Sequence, residues 1–188
     1  KASKQADVLM LFYLFSSEEL LTIFNELSYD FKPESIPENI TYYEQRTSHG
    51  STLSKIVHAW VLARSDRKRS WVNFEMALMS DLEDIQGGTT AEGIHLGAMA
   101  GTVDLVQRAY TGLEIRDDVL WLNPVLPEDM PCLKLQLRYR GHWLQLDLTV
   151  DKMVITFDRG WSKEVKIGIR GEVHTFQTGE QKVFDIRR

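Results

Sequence analysis

The sequence has few features of a disulfide-bonded, nucleic-acid-binding or membrane protein. Its single cysteine, Cys132, allows no disulfide within the chain and fits a reducing compartment, so we expect a cytoplasmic protein. The formal net charge is −5, whereas a nucleic-acid partner normally requires a basic face. No apolar run approaches the ~18 residues of a membrane-spanning helix. We therefore expect neither a nucleic acid nor a membrane as a partner.

Two kinds of chemical signature are also missing. No set of histidine, cysteine and acidic residues has the spacing of a metal site, and there is no glycine-rich nucleotide fingerprint. We therefore expect no metal and no cofactor. The 188 residues are 43% hydrophobic, which is enough for one large domain, or somewhat more, with a substantial core.

Residues 1–111 have the hydrophobic spacing of helices. Ser16 and Ser17 are predicted to cap a helix that runs to about Leu27, with Glu18 and Glu19 suited to its positive end. Further helices are predicted at about 51–64, 67–82 and 91–108, and a long ordered loop is predicted at 30–50. The helix faces are apolar nearly all round, so additional helices would have to cover them. We therefore expect the chain to be the C-terminal part of a larger enzyme.

Near Gly112 the hydrophobic period changes from about 3.6 to 2. From there on, short segments alternate between apolar and polar side chains, with turn signals that contain glycine between them. Such strands, spaced 8–12 residues apart, predict an antiparallel β-sandwich. The expected fold class is thus α+β, with a helical domain at 1–111 and a sandwich at 112–188. Trp143 occupies a periodic position, for which the default expectation is the core.

A histidine stands near the predicted start of the last helix. Thr89 and Glu92 have the spacing of a capping box, and His95 follows in the second turn. Gly97 and Gly101 lie one turn apart, and since glycine costs about 1 kcal/mol against alanine in a helix interior, they indicate the close approach of a backbone or ligand. The positive end of such a helix attracts an anion, which His95 would help to hold.

A second predicted helix start carries hydroxyl groups. In the segment Thr47-Ser-His-Gly-Ser-Thr-Leu-Ser54, Gly50 permits a tight turn, and Ser51 or Thr52 stands at the cap beside unpaired helix amides. Amides, hydroxyls and the partial positive charge of a helix start together bind phosphate oxygens well. The alternative is that Ser51 is an ordinary N-cap and that the nearby histidines are polar residues satisfied at helix ends. Two such helix starts in one chain favour a shared anion site.

The third motif is Ser3-Lys-Gln-Ala-Asp7, which precedes a buried helix. The long side chains of Lys4 and Gln5 could donate hydrogen bonds to sugar hydroxyls. On spacing alone, a solvated helix start is the better explanation of these residues.

Together these motifs, with Tyr42-Tyr-Glu44, occur in the order and spacing of glycoside hydrolase family 65, which the chain resembles over essentially its whole length. That family contains inverting phosphorylases for maltose, trehalose and kojibiose, and some hydrolases. The resemblance implies that residues 1–111 are the last helices of an (α/α) six-hairpin barrel. It also implies that residues 112–188 are the family's C-terminal β-sandwich.

The resemblance implies roles for five residues. Lys4 and Gln5 match the pair that holds the sugar, Ser51 and Thr52 match the adjacent hydroxyl residues that hold phosphate, and His95 matches the histidine that completes the phosphate site. The general-acid glutamate of the family lies upstream of residue 1, so no catalytic residue is expected within this chain.

Two positions depart from the family pattern. Gly50 stands where an acidic residue is usual, and Thr52 stands where serine is usual. Threonine keeps the hydroxyl that phosphate needs. Gly50 indicates a subgroup whose acceptor sugar the sequence does not identify.

The expected function is part of an inverting glycoside phosphorylase that cleaves an α-linked glucosyl disaccharide with inorganic phosphate, giving β-glucose 1-phosphate and a sugar. Phosphate takes the place that activated water holds in an inverting hydrolase, so the site needs neutral or cationic donors rather than a carboxylate base. The expected partners are the disaccharide, phosphate and the remainder of the parent enzyme, and a homodimer is left open. The chain alone should be inactive.

Two alternatives remain. One is an inverting disaccharide hydrolase of the same family, which would use a carboxylate beside the two helix starts to activate water. The other is a non-catalytic carbohydrate-binding or structural fragment, in which Trp143 or Trp161 of the sandwich would stack on sugar rings.

Overall fold

The structure, a computed structural model, describes residues 2, 5–48, 50–85, 87–158 and 164–187. The chain divides into two compact units, Lys1–Leu105 and Val106–Arg188, which we call the helical unit and the β unit. The fold class is α+β, as the change of hydrophobic period predicts.

The described part of the helical unit contains short and medium-length helices. They are α1 (Met10–Leu14), α2 (Ser17–Glu26), α3 (Ile36–Glu44), α4 (Thr52–Leu62), α5 (Arg67–Leu78) and α6 (Leu96–Asp104). Single 3₁₀ turns, Pro33–Ser35 and Thr90–Glu92, come before α3 and α6, and a π-helical segment, Leu105–Tyr110, follows α6. Among these described helices, none has the length and apolar character needed to cross a membrane.

The predicted cap of α2 is confirmed. Ser16 Oγ accepts a hydrogen bond from the Glu19 N–H at 3.2 Å, and Glu19 Oε2 accepts one from the Ser16 N–H at 2.8 Å. This reciprocal pair satisfies two backbone donors that the helix leaves unpaired. Glu18 adds a second negative charge to the first turn.

The long loop predicted at 30–50 is wrong, because this segment contains the 3₁₀ turn Pro33–Ser35 and helix α3. Pro33 is the first residue of the 3₁₀ turn, and Pro37 is the second residue of α3. There a missing N–H removes no helix hydrogen bond, and the fixed φ of proline suits the start. Proline therefore begins these elements and does not interrupt a helix.

The predicted start of the last helix is also wrong. Thr89 makes no capping hydrogen bond through its side chain, and Thr90–Glu92 form only a 3₁₀ turn. Gly93 then adopts φ +132°, which is open to glycine and strained for other residues, and this turns the chain out of the helix. Helix α6 begins at Leu96, so His95 is its N-cap residue and does not lie in the second turn.

Helices α4 and α6 approach each other closely at Gly101. A Cβ atom added there would lie 2.7 Å from Cγ2 of Ile56, so the contact requires glycine. Gly97, one turn earlier, has nothing within 4 Å of the equivalent position. The expectation of close packing is therefore confirmed for Gly101, whereas Gly97 faces open space.

The helical unit leaves much of its apolar surface uncovered. Leu82 is 79% exposed, Leu96 is 71% exposed, and Val103 is 65% exposed. A smaller core lies between α1, α3 and α4, around Leu9, Ile40 and Val57. This agrees with the expectation that the apolar helix faces need a further covering layer.

The β unit contains two four-stranded sheets. The strands are β1 (Glu114–Arg116), β2 (Val119–Leu122), β3 (Cys132–Tyr139), β4 (His142–Thr149), β5 (Lys152–Phe157), β6 (Val165–Ile169), β7 (Glu172–Phe176) and β8 (Gln181–Asp185). One sheet has the order β1-β2-β6-β7 and the other has the order β3-β4-β5-β8. Both sheets contribute to a single apolar core, with Leu120 and Ile167 from the first and Leu144 and Ile155 from the second.

The prediction of a purely antiparallel sandwich is wrong for one pair of strands. Strands β2 and β6 run parallel, with Val119 opposite Lys166 and Leu122 opposite Ile169. Parallel neighbours need a long crossover, and here the connection from β2 to β6 passes through β3, β4 and β5 of the other sheet. The other five pairings of the described strands are antiparallel.

Candidate functional site

The start of α4 is held by Ser51. Its backbone is extended, with φ −151° and ψ 140°, and its Oγ accepts a hydrogen bond from the Leu53 N–H at 3.3 Å. Ser51 is therefore an N-cap, but the cap uses the hydroxyl oxygen and leaves the O–H hydrogen out of this bond. Thr52 follows as the first helical residue and is buried, at 8% exposure.

The first turn of α4 also holds the segment that contains Gln5. Ser54 Oγ accepts a hydrogen bond from the Ala6 N–H at 3.3 Å, and both residues are buried. The backbone next to Gln5 therefore lies against the helix that Ser51 caps. Lys4 lies outside the described residues, so its predicted role rests on the sequence.

The start of α6 is organised by a carboxylate that sequence reasoning missed. Asp81, just beyond the end of α5, accepts a hydrogen bond from the His95 N–H through Oδ2 at 2.9 Å. Its Oδ1 lies 2.5 Å from Nδ1 of the His95 ring. The side-chain hydrogen bond from His95, more than any other interaction, holds the pKa of Asp81 below its usual value.

This geometry restricts what each group can do. Because Nδ1 of His95 faces Asp81, Nε2 is the ring nitrogen left for a ligand, and the His95 side chain keeps 26% exposure. Both oxygens of Asp81 are used by His95, and its side chain is only 9% exposed. Both contacts hold the Asp81 carboxylate against His95, which makes it a poorly placed base for activating a water molecule.

A second aspartate shapes the loop between α5 and α6. Asp84 has φ +46° and accepts hydrogen bonds from the Gly88 N–H at 2.6 Å and from the N–H and hydroxyl of Thr90 at 3.3 and 3.1 Å. These bonds, with that from Gly88 the largest, lower the pKa of Asp84. Asp84 thus fixes the loop, whereas Asp81 fixes the histidine.

The two helix starts belong to helices that touch. The contact between Ile56 and Gly101 lies in the second turn of both α4 and α6. At 1.5 Å per residue, each helix start is about 6–8 Å along its axis from this contact. The anion site shared by Ser51 and His95 stays a prediction.

The carboxylate of the Tyr42-Tyr-Glu44 motif is engaged in a structural ion pair. Glu44 at the end of α3 binds the guanidinium of Arg69 in α5, and it lies 4.0 Å from Nδ1 of the buried His58 in α4. Glu44 therefore joins three helices of the helical unit. Within the ranges that the structure describes, no group of three or more histidine, cysteine or acidic residues could hold a metal ion.

In the β unit, the default expectation of a core position for Trp143 is wrong. Its neighbours His142 and Leu144 face the core of the sandwich, so the alternation of the strand turns Trp143 outward, where it is 49% exposed. It lies opposite Arg138 of β3 in the strand register. Trp161 lies outside the described residues.

Two models of known protein domains together match most of the chain. A model of the glycosyl hydrolase family 65 central catalytic domain matches residues 1–104, and a model of the C-terminal domain of the same family matches residues 113–176.

Individual relatives agree with this. An uncharacterized glycosyl hydrolase of Mycobacterium tuberculosis H37Rv is 49% identical over 95% of this chain and 14% of its own length. Trehalose 6-phosphate phosphorylase of Lactococcus lactis is 31% identical over 100% of this chain and 24% of its own length. Kojibiose phosphorylase of Caldanaerobacter subterraneus is 33% identical over 90% of this chain and 20% of its own length. The chain thus spans between 14% and 24% of the length of these relatives.

A solved structure has the same fold. The protein described as "Putative kojibiose phosphorylase from human microbiome" superposes with a TM-score of 0.77 and 25% sequence identity, over 98% of this chain and 22% of that one.

Proposed function

Because the chain belongs to glycosyl hydrolase family 65, we propose that it is the C-terminal part of an inverting glycoside phosphorylase, called the full-length enzyme below. The reaction is the cleavage of an α-linked glucosyl disaccharide by inorganic phosphate, which yields β-glucose 1-phosphate and a free sugar. It requires phosphate as co-substrate and no metal or organic cofactor. We assign it to the cytoplasm, where the free Cys132 stays reduced.

The observation that carries this proposal is the pairing of His95 with Asp81 at the start of α6. A phosphorylase must hold an anion beside the sugar, which calls for hydrogen-bond donors and positive charge. An inverting hydrolase instead needs a carboxylate that is free to activate water. Asp81, the carboxylate in contact with His95, has both oxygens engaged by that residue, which favours phosphorolysis.

In this proposal the donors are divided between two tasks. Ser51, Thr52 and His95 hold phosphate, and the partial positive charge of the two helix starts favours the anion. Lys4 and Gln5 hold the sugar, and the hydrogen bond between Ala6 and Ser54 keeps the backbone next to Gln5 against α4. The general acid comes from a preceding part of the full-length enzyme.

The proposed architecture follows the same division. Residues 1–111 form the last helices of an (α/α) six-hairpin barrel, and residues 112–188 form the C-terminal sandwich. Preceding helices of the barrel would cover the exposed apolar side chains of the helical unit, such as Leu82 and Leu96.

The test is a panel of disaccharides. The reported phosphorylases are named for trehalose 6-phosphate and kojibiose, and the family resemblance adds trehalose and maltose. Each of these four sugars is incubated with the full-length enzyme, with and without phosphate. We expect one of them to be consumed only when phosphate is present, and the isolated 188-residue chain to consume none. Release of glucose without phosphate would replace this proposal by a hydrolase. Turnover by the isolated chain would place the general acid within it.

A second candidate function is carbohydrate binding by the β unit, favoured by the half-exposed indole of Trp143 beside Arg138. Indole rings stack on the apolar faces of sugars, and such binding would not depend on phosphate. Isothermal titration of the chain with maltooligosaccharides would detect it. Binding that is lost in Trp143→Ala and unaffected by phosphate would establish this function, and no binding in the wild type would exclude it.

A further inference from the structure

We propose that Asp81 is a positioning residue that orients the His95 ring for phosphate, an inference that rests on the proposed phosphorylase function. The Asp81 carboxylate contacts both the backbone N–H of His95, at 2.9 Å, and Nδ1 of its ring, at 2.5 Å. The first contact fixes where the residue is, and the second fixes how the ring is turned. Two bonds from one rigid carboxylate leave the ring little rotational freedom.

The contact between Nδ1 and Asp81 also restricts how Nε2 of the ring can interact with phosphate. With Nδ1–H donating to Asp81, the only way for Nε2 to donate to a phosphate oxygen is for the ring to carry both hydrogens and a positive charge. The Asp81 carboxylate then faces that charge directly. A ring that carries both hydrogens offers a cationic donor to an incoming anion, and the Asp81 carboxylate behind it balances the charge. The bond from His95 lowers the pKa of Asp81, which favours its ionised form.

A purely structural role does not explain the choice of aspartate. Asp81 stands just beyond the C-terminal end of α5, where the helix dipole disfavours a negative charge. The loop that follows is already fixed by Asp84 through Gly88 and Thr90. A bond to the His95 backbone alone could be made by a neutral side chain such as asparagine. What only a carboxylate provides is an acceptor for Nδ1–H together with a balancing charge.

The experiment is a double-mutant cycle in the full-length enzyme with Asp81→Asn and His95→Ala. Asparagine keeps the shape and can still accept from the His95 N–H, but its amide then presents hydrogens to Nδ1. We expect Asp81→Asn to raise the KM for phosphate about 10- to 100-fold, by analogy with the loss of carboxylates that orient metal-binding histidines. The KM for the disaccharide should change less than about twofold. In the His95→Ala background the same substitution should have no further effect, because Asp81 acts through His95.

The matched control is Glu83→Gln, which removes the same charge from an exposed neighbour in the same loop. It should leave both KM values unchanged. Circular dichroism melts report whether each variant folds. If Asp81→Asn does not fold, Asp81→Glu replaces it, since a carboxylate on a longer stem should keep the phosphate KM near the wild-type value.

The outcomes separate this inference from the proposed function. An equal loss from Asp81→Asn with and without His95, a loss shared by both substrates, or no loss at all would overturn the role of Asp81 while leaving phosphorolysis intact. An increase in the phosphate KM of Asp81→Glu as large as the increase in His95→Ala would also overturn the role of Asp81. If the wild-type enzyme needs no phosphate, the proposed function itself fails, and the inference with it. If His95→Ala leaves the phosphate KM unchanged, the proposed role of His95 fails, and that of Asp81 with it, while phosphorolysis stands.

Discussion

The helical unit and the β unit differ in how completely each buries its own apolar side chains. Among the described residues, fifteen exposed large apolar side chains lie in the helical unit, from Leu11 to Val103, and five lie in the β unit. The β unit builds one core from both of its sheets, and Leu144, Leu146 and Phe157 are fully buried there. A two-layer sandwich is complete with two sheets, whereas a helix that is apolar nearly all round needs neighbours on every side.

This contrast also separates the roles of the two units. The candidate site residues Gln5, Ser51, Thr52 and His95, and the newly found Asp81, all belong to the helical unit. The unit that cannot bury its own surface thus carries the proposed chemistry. The β unit has a closed core and contributes none of these residues.

Expressing the two units separately should give the largest difference between them. Expressed alone, residues 106–188 should give a cooperative thermal transition, because their core is self-contained. Residues 1–105 alone should aggregate or bind a hydrophobic dye such as ANS, because their apolar faces are uncovered. A cooperative melt of residues 1–105 without dye binding would contradict this account of the helical unit.

Removing the imidazole should have the next largest effect. In the full-length enzyme, His95→Ala should lower the rate of phosphorolysis by on the order of 10²–10³, the usual loss when one preorganised donor is removed. Trp143→Ala, in the β unit, should leave that rate within about twofold. Initial rates over a range of phosphate concentrations would measure both, and a larger loss from Trp143→Ala would move the chemistry away from the helical unit.

Two glycines of α6 offer a matched pair for stability. Gly101→Ala places a methyl group 2.7 Å from Ile56 Cγ2, so we expect a loss of about 1–3 kcal/mol, the usual range for overpacking. Gly97→Ala meets nothing within 4 Å and should be neutral or slightly stabilising. Chemical denaturation of the chain followed by far-UV circular dichroism tests both. Equal effects at the two positions would show that α4 and α6 do not meet at Gly101.

The two predicted capping motifs also form a matched pair. Ser16→Ala should cost about 1 kcal/mol, because it removes the hydroxyl that accepts from the Glu19 N–H. Thr89→Ala should cost much less, because Thr89 makes no cap and its buried hydroxyl has no hydrogen-bond partner. The same denaturation measurements apply. A loss at Thr89 as large as that at Ser16 would restore the capping box that the structure does not contain.

The smallest expected effect concerns how the stability of the β unit depends on pH. Hydrogen bonds from Arg187 lower the pKa of Asp185 to about 2, from a usual value of 3.8. A carboxyl whose pKa is lowered by folding stabilises the fold above its usual pKa, and this contribution is lost as the pH falls toward about 2. Asp185→Asn should therefore reduce the change in melting temperature between pH 4 and pH 2 slightly. Because the pair is exposed, added salt should weaken the effect, and a larger acid dependence in the variant would contradict it.

The sequence predicts what depends on local pattern. Strict alternation predicts five of the described strands, β3 to β7, and the serines before Glu18 and Glu19 predict the start of α2. The parallel pairing of β2 with β6 could not be found in this way, because it depends on a connection through the other sheet. The spacing of Thr89 and Glu92 predicts the start of α6 too early, because Gly93 follows with a positive φ and ends the turn before the helix begins.

The candidate site shows the same limit. Ser51 and His95 stand at helix starts, which leave a local signature. Asp81 acts on a residue 14 positions later, and nothing in that spacing reveals the contact. One weak signal exists: an acidic residue just beyond a helix C-terminus is placed against the dipole, which indicates that another interaction favours it.

The fate of phosphate during turnover distinguishes phosphorolysis from hydrolysis. The full-length enzyme is incubated with its disaccharide and inorganic phosphate, and ³¹P and ¹H NMR follow the phosphate consumed and the anomer formed. The account predicts that each disaccharide cleaved removes one phosphate and yields glucose 1-phosphate as the β anomer. Free glucose formed without loss of phosphate, or the α anomer of glucose 1-phosphate, would contradict it.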